Sequence, residues 1–551
     1  MLQVRLLLAL ALLLTLTPGT SSATPWAPPQ DGKTFEELEE DLRDEDGRKR
    51  RVAVRRLSEL ATEEAFELIL AALADEDPQV ADEAQLRLAE VPSQEWWDEH
   101  AFGKAGLKSK NVVVRRRVAE AWGRAIGSRE SQRNMTVTEP VRIPKKVLDK
   151  GLKDRDATVA RYLFWSIERG GLMETKVSDM RSELATAAFR KAKDPLVRGA
   201  ALLSLSSSAL FRFDDEADSR ELLESALEDK QAAVRAAGVL ATGDWRSDVP
   251  YAVQYGAAAL RDEHIAVRRA AMRVLSEVGS PECMELLVDA LVDSEDRVDQ
   301  IWLVEVLRAA SGRRYGANPE AWSGWLRDLP ADWQALTTKN RSVSNSRAGG
   351  NFQEDEPAPR VTVAELAGLP IQSERVSVLI DMSGSMWTTR DDGRRPKDLV
   401  ELELNRFLSS LPESAKFNLI PYASEPEPWK GELQKAKPKT LKGALESFER
   451  LDLRGKGNVW SAIEVALEDE EVDTIVILSD GAPSGGEHWN MELLVDLLLE
   501  RNRFQQVAFS SILTEPSNGL VRHWQRLADE SRGHCRVVEY EDLGSSDDGD
   551  E

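Results

Sequence analysis

From about residue 36 to residue 310, apolar residues recur at helical spacing. Segments such as ELLESALED (221–229) and ELLVDALVD (285–293) carry them at i, i+3 and i+4, so each predicted helix has one face to bury. One phrase repeats through this half: an acidic or polar turn, a valine, an arginine or small residue, then a helical apolar stripe. It is centred on Val54, Val80, Val114, Val159, Val197, Val234, Val267 and Val298, at intervals of 26 to 45 residues. A single helix pair cannot bury its apolar face alone, whereas stacked pairs can, and a recurring period in this range predicts a helical-pair solenoid. The Asp or Asp-Pro ahead of several of these valines suits a tight turn and the N-cap of the following helix.

The Asp-x-x-Val-Arg phrase resembles HEAT repeats, over residues 36–333 with a C-terminal cap. The resemblance implies a protein-binding scaffold with a concave face. Trp322, Trp325 and Trp333 fit the cap that closes the last repeat, with carbohydrate stacking as the other use of such aromatics. Residues 334–360 are polar, rich in Gly, Ser, Asn and Pro, and read as a flexible linker.

Beyond the linker the pattern changes to alternating strands and helices. Strands are predicted at 376–381, 416–422, 473–480, 506–513 and 534–540. Helices are predicted at 397–411, 439–451, 460–467, 491–502 and 520–531. Such alternation builds a mostly parallel, doubly wound α/β sheet with helices on both faces, here over 361–541. The expected architecture is therefore multidomain: an all-α solenoid followed by an α/β domain. Ligand sites in such sheets lie beyond the carboxyl ends of the strands, where VSVLIDMSGSM (376–386) and VILSDGAPSGG (476–486) would bring two acidic turns together.

Asp381, Ser383 and Ser385 place oxygen-bearing side chains at every second position after the first strand. By themselves they fit a metal cup, a nucleophile turn or a strand end decorated with turn residues. The paired runs DMSGSM and ILSDGAPSGG resemble the von Willebrand factor type A (VWA) domain and its metal-ion-dependent adhesion site. That resemblance implies a Mg²⁺ site, or one for Mn²⁺ or Ca²⁺, at Asp381, Ser383, Ser385 and Asp480, with hard oxygen ligands of the kind Mg²⁺ prefers. One position departs from the family: where it has a threonine on its second loop, the run GKGNVWSAI (455–463) has Gly457. Water, Asn458 or Ser461 could fill the gap; alternatively Lys456 could neutralise the two aspartates without any ion. Trp387 and Trp489, beside the first and third loops, are candidates for partner contact, while Trp460 is expected to pack inside.

Composition narrows the setting. The chain has 551 residues and a formal charge of −24, which disfavours nucleic acid and anionic membranes as general partners. Residues 1–23 have Arg5, an apolar run from Leu6 to Leu16, a Pro18-Gly19 break and small residues before a cut. They read as a signal peptide, with an uncleaved anchor helix as the alternative; no later stretch is apolar enough to span a bilayer. Only Cys283 and Cys535 are present, so no disulfide framework is expected, and so few cysteines in an exported chain of this size point to bacterial export, periplasmic or extracellular. Residues 542–551 read as an acidic, disordered tail.

No Gly-x-Ser-x-Gly elbow, complete phosphate-binding loop or His-Glu-x-x-His run occurs. A serine hydrolase built on Ser383 with His488 is the weakest alternative, and coupling to an ATP-driven machine conflicts with export. The expected function is a non-enzymatic, exported protein-binding adaptor of adhesion type, in which a partner's carboxylate completes the metal shell. The alternative is a metal-free site with binding carried by the solenoid.

Overall fold

A computed structural model describes residues 32–131, 141–169, 175–207, 216–243, 249–330, 332–336, 363–391 and 393–539. Residues 1–23, expected to be a signal peptide, residues 337–360 of the expected linker and the expected acidic tail 542–551 lie outside the described residues.

The helical half is a stack of helix pairs in which each anchor valine lies on the second helix of its pair, in the first turn from Val80 onward and mid-helix at Val54. These second helices are Gly47–Leu60, Pro78–Leu88, Val112–Ser131, Ala157–Arg169, Pro195–Ser206, Ala232–Gly243, Ile265–Val278 and Arg297–Ser311. Their starts follow from local chemistry: Asp77, Asp194 and Asp296 accept N–H groups of the first turn, with Pro78 and Pro195 at the first helical position. Val54, Val80, Val114, Val159, Val197, Val234 and Val267 are buried, and Val298, in the last repeat, is half-buried.

The arginine of the repeated phrase has a definite task. Arg115, Arg198, Arg235 and Arg268 each reach an aspartate of the following repeat: Asp154, Asp229, Asp262 and Asp299, at 2.5–2.9 Å. Arg50 does the same to Asp75. The phrase therefore encodes both a helix start and a charge-assisted link between repeats. At the end of the stack Trp322 and Trp325 are buried and Trp333 is half-buried, joined edge to face in series. Both terminal-cap tryptophans in the core are thus unavailable for carbohydrate stacking.

The α/β half contains a small hairpin, β1 (Ala364–Leu366) and β2 (Leu369–Ile371), and a six-stranded sheet. Its strands are β3 (Arg375–Asp381), β4 (Lys416–Tyr422), β5 (Gln434–Lys435), β6 (Thr474–Ser479), β7 (Ala508–Thr514) and β8 (Cys535–Val538), in the order β5-β4-β3-β6-β7-β8. All neighbouring pairs are parallel except β4 with β5. The strands are buried on both faces: Val376, Val378 and Ile380 face one layer, with α1 (Pro396–Ser410) and α2 (Pro438–Glu449). Leu379 and Ile477 face the other, with α3 (Val459–Ala466), α4 (Met491–Asn502) and α5 (Asn518–Ser531). The order reverses between β3 and β6, so the loops that follow these two strands meet at a topological switch point.

The two halves are not merely tethered. The second-helix face of the solenoid is occupied by the α/β domain through α4 and the loops around it. Apolar side chains of both halves form a continuous core, and Phe504 sits on Gly199, where a Cβ would come within 2.8 Å of its ring. Around this contact Arg161 reaches Glu500 (2.8 Å), Arg124 reaches Asp496 (2.8 Å), and Arg503 grips Glu168 at 2.7 and 2.8 Å. Arg269, fully buried, donates to the backbone carbonyls of Asp473 and Gln506. Arg161 and Arg269 stand two residues after an anchor valine. The first arginine position links repeats and the second holds the docked domain.

Glu500 is buried, and one of its oxygens has no hydrogen-bond partner among the described residues. Replacing Arg161 by Met should therefore destabilise the chain by about 3–5 kcal/mol, because a buried carboxylate loses its counter-charge. The double variant Arg161→Met/Glu500→Leu should recover most of that loss. Urea unfolding of both variants checks the pair.

Candidate functional site

Asp381 is the last residue of β3, 2% exposed, and Ser383 and Ser385 follow on the turn into a short 3₁₀ segment, Gly384–Trp387. One Asp381 oxygen accepts the Ser383 N–H at 2.8 Å and the other accepts the Ser479 hydroxyl at 3.0 Å. The Ser383 and Ser385 hydroxyls lie 3.1 Å apart. Asp480, one residue past β6, faces this group, half-buried. Burial first, and the charge of Asp480 second, push the Asp381 carboxyl up to about 6; the Ser383 and Ser479 hydrogen bonds pull the other way without cancelling them. A cleft of about 910 Å³ opens beside Ser385 and Asp480, with Thr388, Arg390 and Glu515 on its walls.

Gly457 stands directly across from Asp381. A Cβ there would lie 3.3 and 3.6 Å from the two Asp381 oxygens, so a side chain at 457 would point at the carboxylate. Asn458 is not a free donor of oxygen: its Oδ1 caps α3 by accepting the Ser461 N–H, and its amide nitrogen donates to the Ser424 carbonyl. Ser461 is held in that first turn of α3, half-buried. Lys456 is exposed.

A hydroxyl that the sequence reading passed over lies here. Ser484 accepts the Gly457 N–H at 2.7 Å, and its Oγ is 3.6 Å from the position a Gly457 Cβ would take. The only signal in the sequence is a serine four residues past Asp480, and nothing in that spacing says that the chain doubles back to meet Gly457.

The aromatic rim is arranged differently from expectation. Trp387 is half-buried, its indole N–H donates to the Leu453 carbonyl at 2.8 Å, and the Arg454 guanidinium lies 4.6 Å over its ring. Trp489 faces the solenoid, with Arg51 4.9 Å over its ring and its backbone N–H bonded to Asp82. Both rings are already engaged within the chain. Trp460 is buried, edge-on to His488. His488 is itself buried, with Nδ1 3.1 Å from Asp82, which commits it to the solenoid and not to Ser383 as a hydrolase would require.

Comparisons with known proteins bear on the two domains. A family model described as von Willebrand factor type A domain matches residues 374–536, and one described as HEAT repeats matches 219–308. Residues 374–536 are a VWA domain, preceded by HEAT repeats. Over 163 residues the chain is 29% identical to mouse inter alpha-trypsin inhibitor, heavy chain 4, a match covering 26% of this chain and 16% of that protein. It is 24% identical over 143 residues to human von Willebrand factor A domain-containing protein 3B, covering 26% and 10% respectively. The chain thus spans a sixth or less of these relatives. Among solved structures, proximal thread matrix protein 1 from the mussel byssus matches 30% of this chain and 42% of its own at 15% identity, with a TM-score of 0.25, too low to bear on function. VWA domains commonly bind a divalent ion at this strand edge, and VWA and HEAT units generally mediate protein-protein contact.

The raised Asp381 carboxyl has a sign that can be tested. Its folded value, about 6, exceeds the ordinary 3.8, so the folded chain holds the proton more tightly than the unfolded one. The penalty is absent below about pH 4, grows between pH 4 and 6, and is complete above it. In chelator, wild type should lose about 3 kcal/mol relative to Asp381→Asn between pH 4 and pH 7. Parallel pH-dependent unfolding curves check this.

Proposed function

We propose that this protein is an exported, non-enzymatic adaptor whose VWA domain holds a divalent cation, Mg²⁺ or a similar ion, at Asp381, Ser383, Ser385 and Asp480. The observation that carries the proposal is the state of Asp381: a carboxylate sealed in the sheet edge, repelled by a second aspartate and flanked by hydroxyls, is what a hard cation would relieve. The donor set is all oxygen, which suits Mg²⁺, Mn²⁺ or Ca²⁺ and not softer metals. When bound, the ion would supply a positive centre able to accept a carboxylate from a partner protein. Asp381 would bring the charge, Ser383 and Ser385 neutral oxygens, and Asp480 a second acidic group at the rim of the cleft.

The docked arrangement bears on where a partner binds. Because the second-helix face of the solenoid is covered by the VWA domain, recognition falls to the ion-site edge of the sheet, where the cleft is open. Export rests on the pattern of residues 1–23, and bacterial origin on cysteine usage. Gly457 favours a second reading, in which the site carries no ion and the repeats alone bind the partner.

Calorimetric titration of Mg²⁺ and Mn²⁺ into the full mature chain separates the two. Saturable heat that disappears in Asp381→Ala is expected. Silence in wild type, with binding appearing in Gly457→Thr, would establish the metal-free reading.

A further inference from the structure

The VWA domain's third loop, residues 481–490, runs from the candidate ion site to the solenoid, and both of its ends are held. At the near end Ser484 Oγ accepts the Gly457 N–H, while the Gly457 carbonyl accepts the N–H groups of Ser484 (3.0 Å) and Gly485 (3.2 Å). This three-bond clasp puts the Ser484 hydroxyl and both Asp381 oxygens within 3.6 Å of the one point a Gly457 Cβ would occupy. The Ser484 oxygen has a lone pair left after accepting the Gly457 N–H.

The far end enters the solenoid. Asp82, wholly buried on the helix Pro78–Leu88, accepts the backbone N–H groups of Trp489 (2.6 Å) and Asn490 (2.7 Å), His488 Nδ1 (3.1 Å) and Arg117 (2.7 Å). Trp489 and Asn490 immediately precede α4, so a solenoid carboxylate holds the start of a VWA helix. Arg117, also buried, donates in turn to the Glu487 carbonyl, and Arg116 reaches the Glu487 carboxylate at 3.2 Å. Glu487, His488, Trp489 and Asn490 are four consecutive residues, all gripped by the solenoid, and they begin three residues after Ser484.

We infer that Ser484 supplies the oxygen that Gly457 cannot, and that Asp82 and Arg117 are positioning residues which hold its loop against the ion. Ion occupancy and docking of the solenoid are then linked: what tightens one tightens the other by the same factor. The inference rests on the divalent-ion reading of this site. A Cβ at 457 would meet Ser484 Oγ at 3.6 Å, an ordinary contact distance, so a threonine there and the Ser484 hydroxyl would both face Asp381.

The test is Mn²⁺ titration by calorimetry into the full mature chain, combined with hydrogen exchange of the helix Pro78–Leu88 with and without Mn²⁺. Ser484→Ala should weaken binding about tenfold or more, and adding Gly457→Thr to it should restore affinity. Asp82→Asn should weaken Mn²⁺ about tenfold, as loss of an outer support does at metal sites, and Mn²⁺ should slow exchange at Pro78–Leu88 in wild type. If Asp82→Asn does not fold, Glu487→Gln, which loosens the Arg116 contact at the part-buried edge, should shift Mn²⁺ affinity in the same direction.

A merely structural Asp82 would lower the melting temperature and leave the Mn²⁺ affinity unchanged, overturning the linkage. Wild-type affinity in Ser484→Ala would overturn the ligand assignment while leaving the ion site standing. Absence of binding in wild type would overturn both this inference and the ion reading beneath it.

Discussion

The structure turns on a buried carboxylate, Asp82, that belongs to one half of the chain and is satisfied mainly by the other. Taking an aspartate out of water costs several kcal/mol unless its lone pairs are filled. Burial alone pushes the Asp82 carboxyl up, but Arg117, His488 and the Asn490 N–H outweigh it and hold it at about 2. Three of its four donors come from residues 488–490. Withdrawing the VWA domain would take away three of the donors to Asp82 and part Glu500 from Arg161. A geometry that leaves so little slack for separation makes the two halves one unit, even though a long segment of sequence lies between them.

Asp381 is the opposite case. It too is buried, but its strongest neighbour is another carboxylate, and its hydrogen bonds come from neutral groups, so it sits near 6 where Asp82 sits near 2. The contrast separates a group whose charge has been answered by the fold from one whose charge has been left open. At the carboxyl edge of a parallel sheet, at the point where the strand order reverses, an unanswered charge next to hydroxyls and a cleft is the arrangement expected of a ligand site. Loop 481–490 runs between the two carboxylates, one answered and one open.

The repeats also serve a purpose beyond stacking. One arginine position of the repeated phrase, filled by Arg115, Arg198, Arg235 and Arg268, joins a pair of helices to the next, and the position beside it projects toward the VWA domain, as Arg116, Arg161 and Arg269 do. Scaffolds of this type generally mediate protein-protein contact; here the second-helix face carries the chain's own second domain.

Much of this was legible in the sequence. The helix starts are local, set by Asp and Pro at the cap and by a stripe of apolar residues every three or four positions, so the anchor valines located them. The strands of the VWA domain are apolar on both faces, and their ends coincide with Asp381 and Asp480, so the order of the elements and the acidic strand ends could be read directly. What sequence could not supply were contacts between residues hundreds of positions apart. Ser484 meets Gly457, and Asp82 meets Trp489, only because two loops and two domains converge, and no periodicity encodes that convergence. Trp387 and Trp489 looked like a rim because large aromatics beside a site loop carry no sign of which way they face; packing against Leu453 and against Arg51 decided it. Local hydrogen bonding and hydrophobic period determined the elements, and the need to satisfy buried charge across the interface, visible only in three dimensions, determined how they are joined.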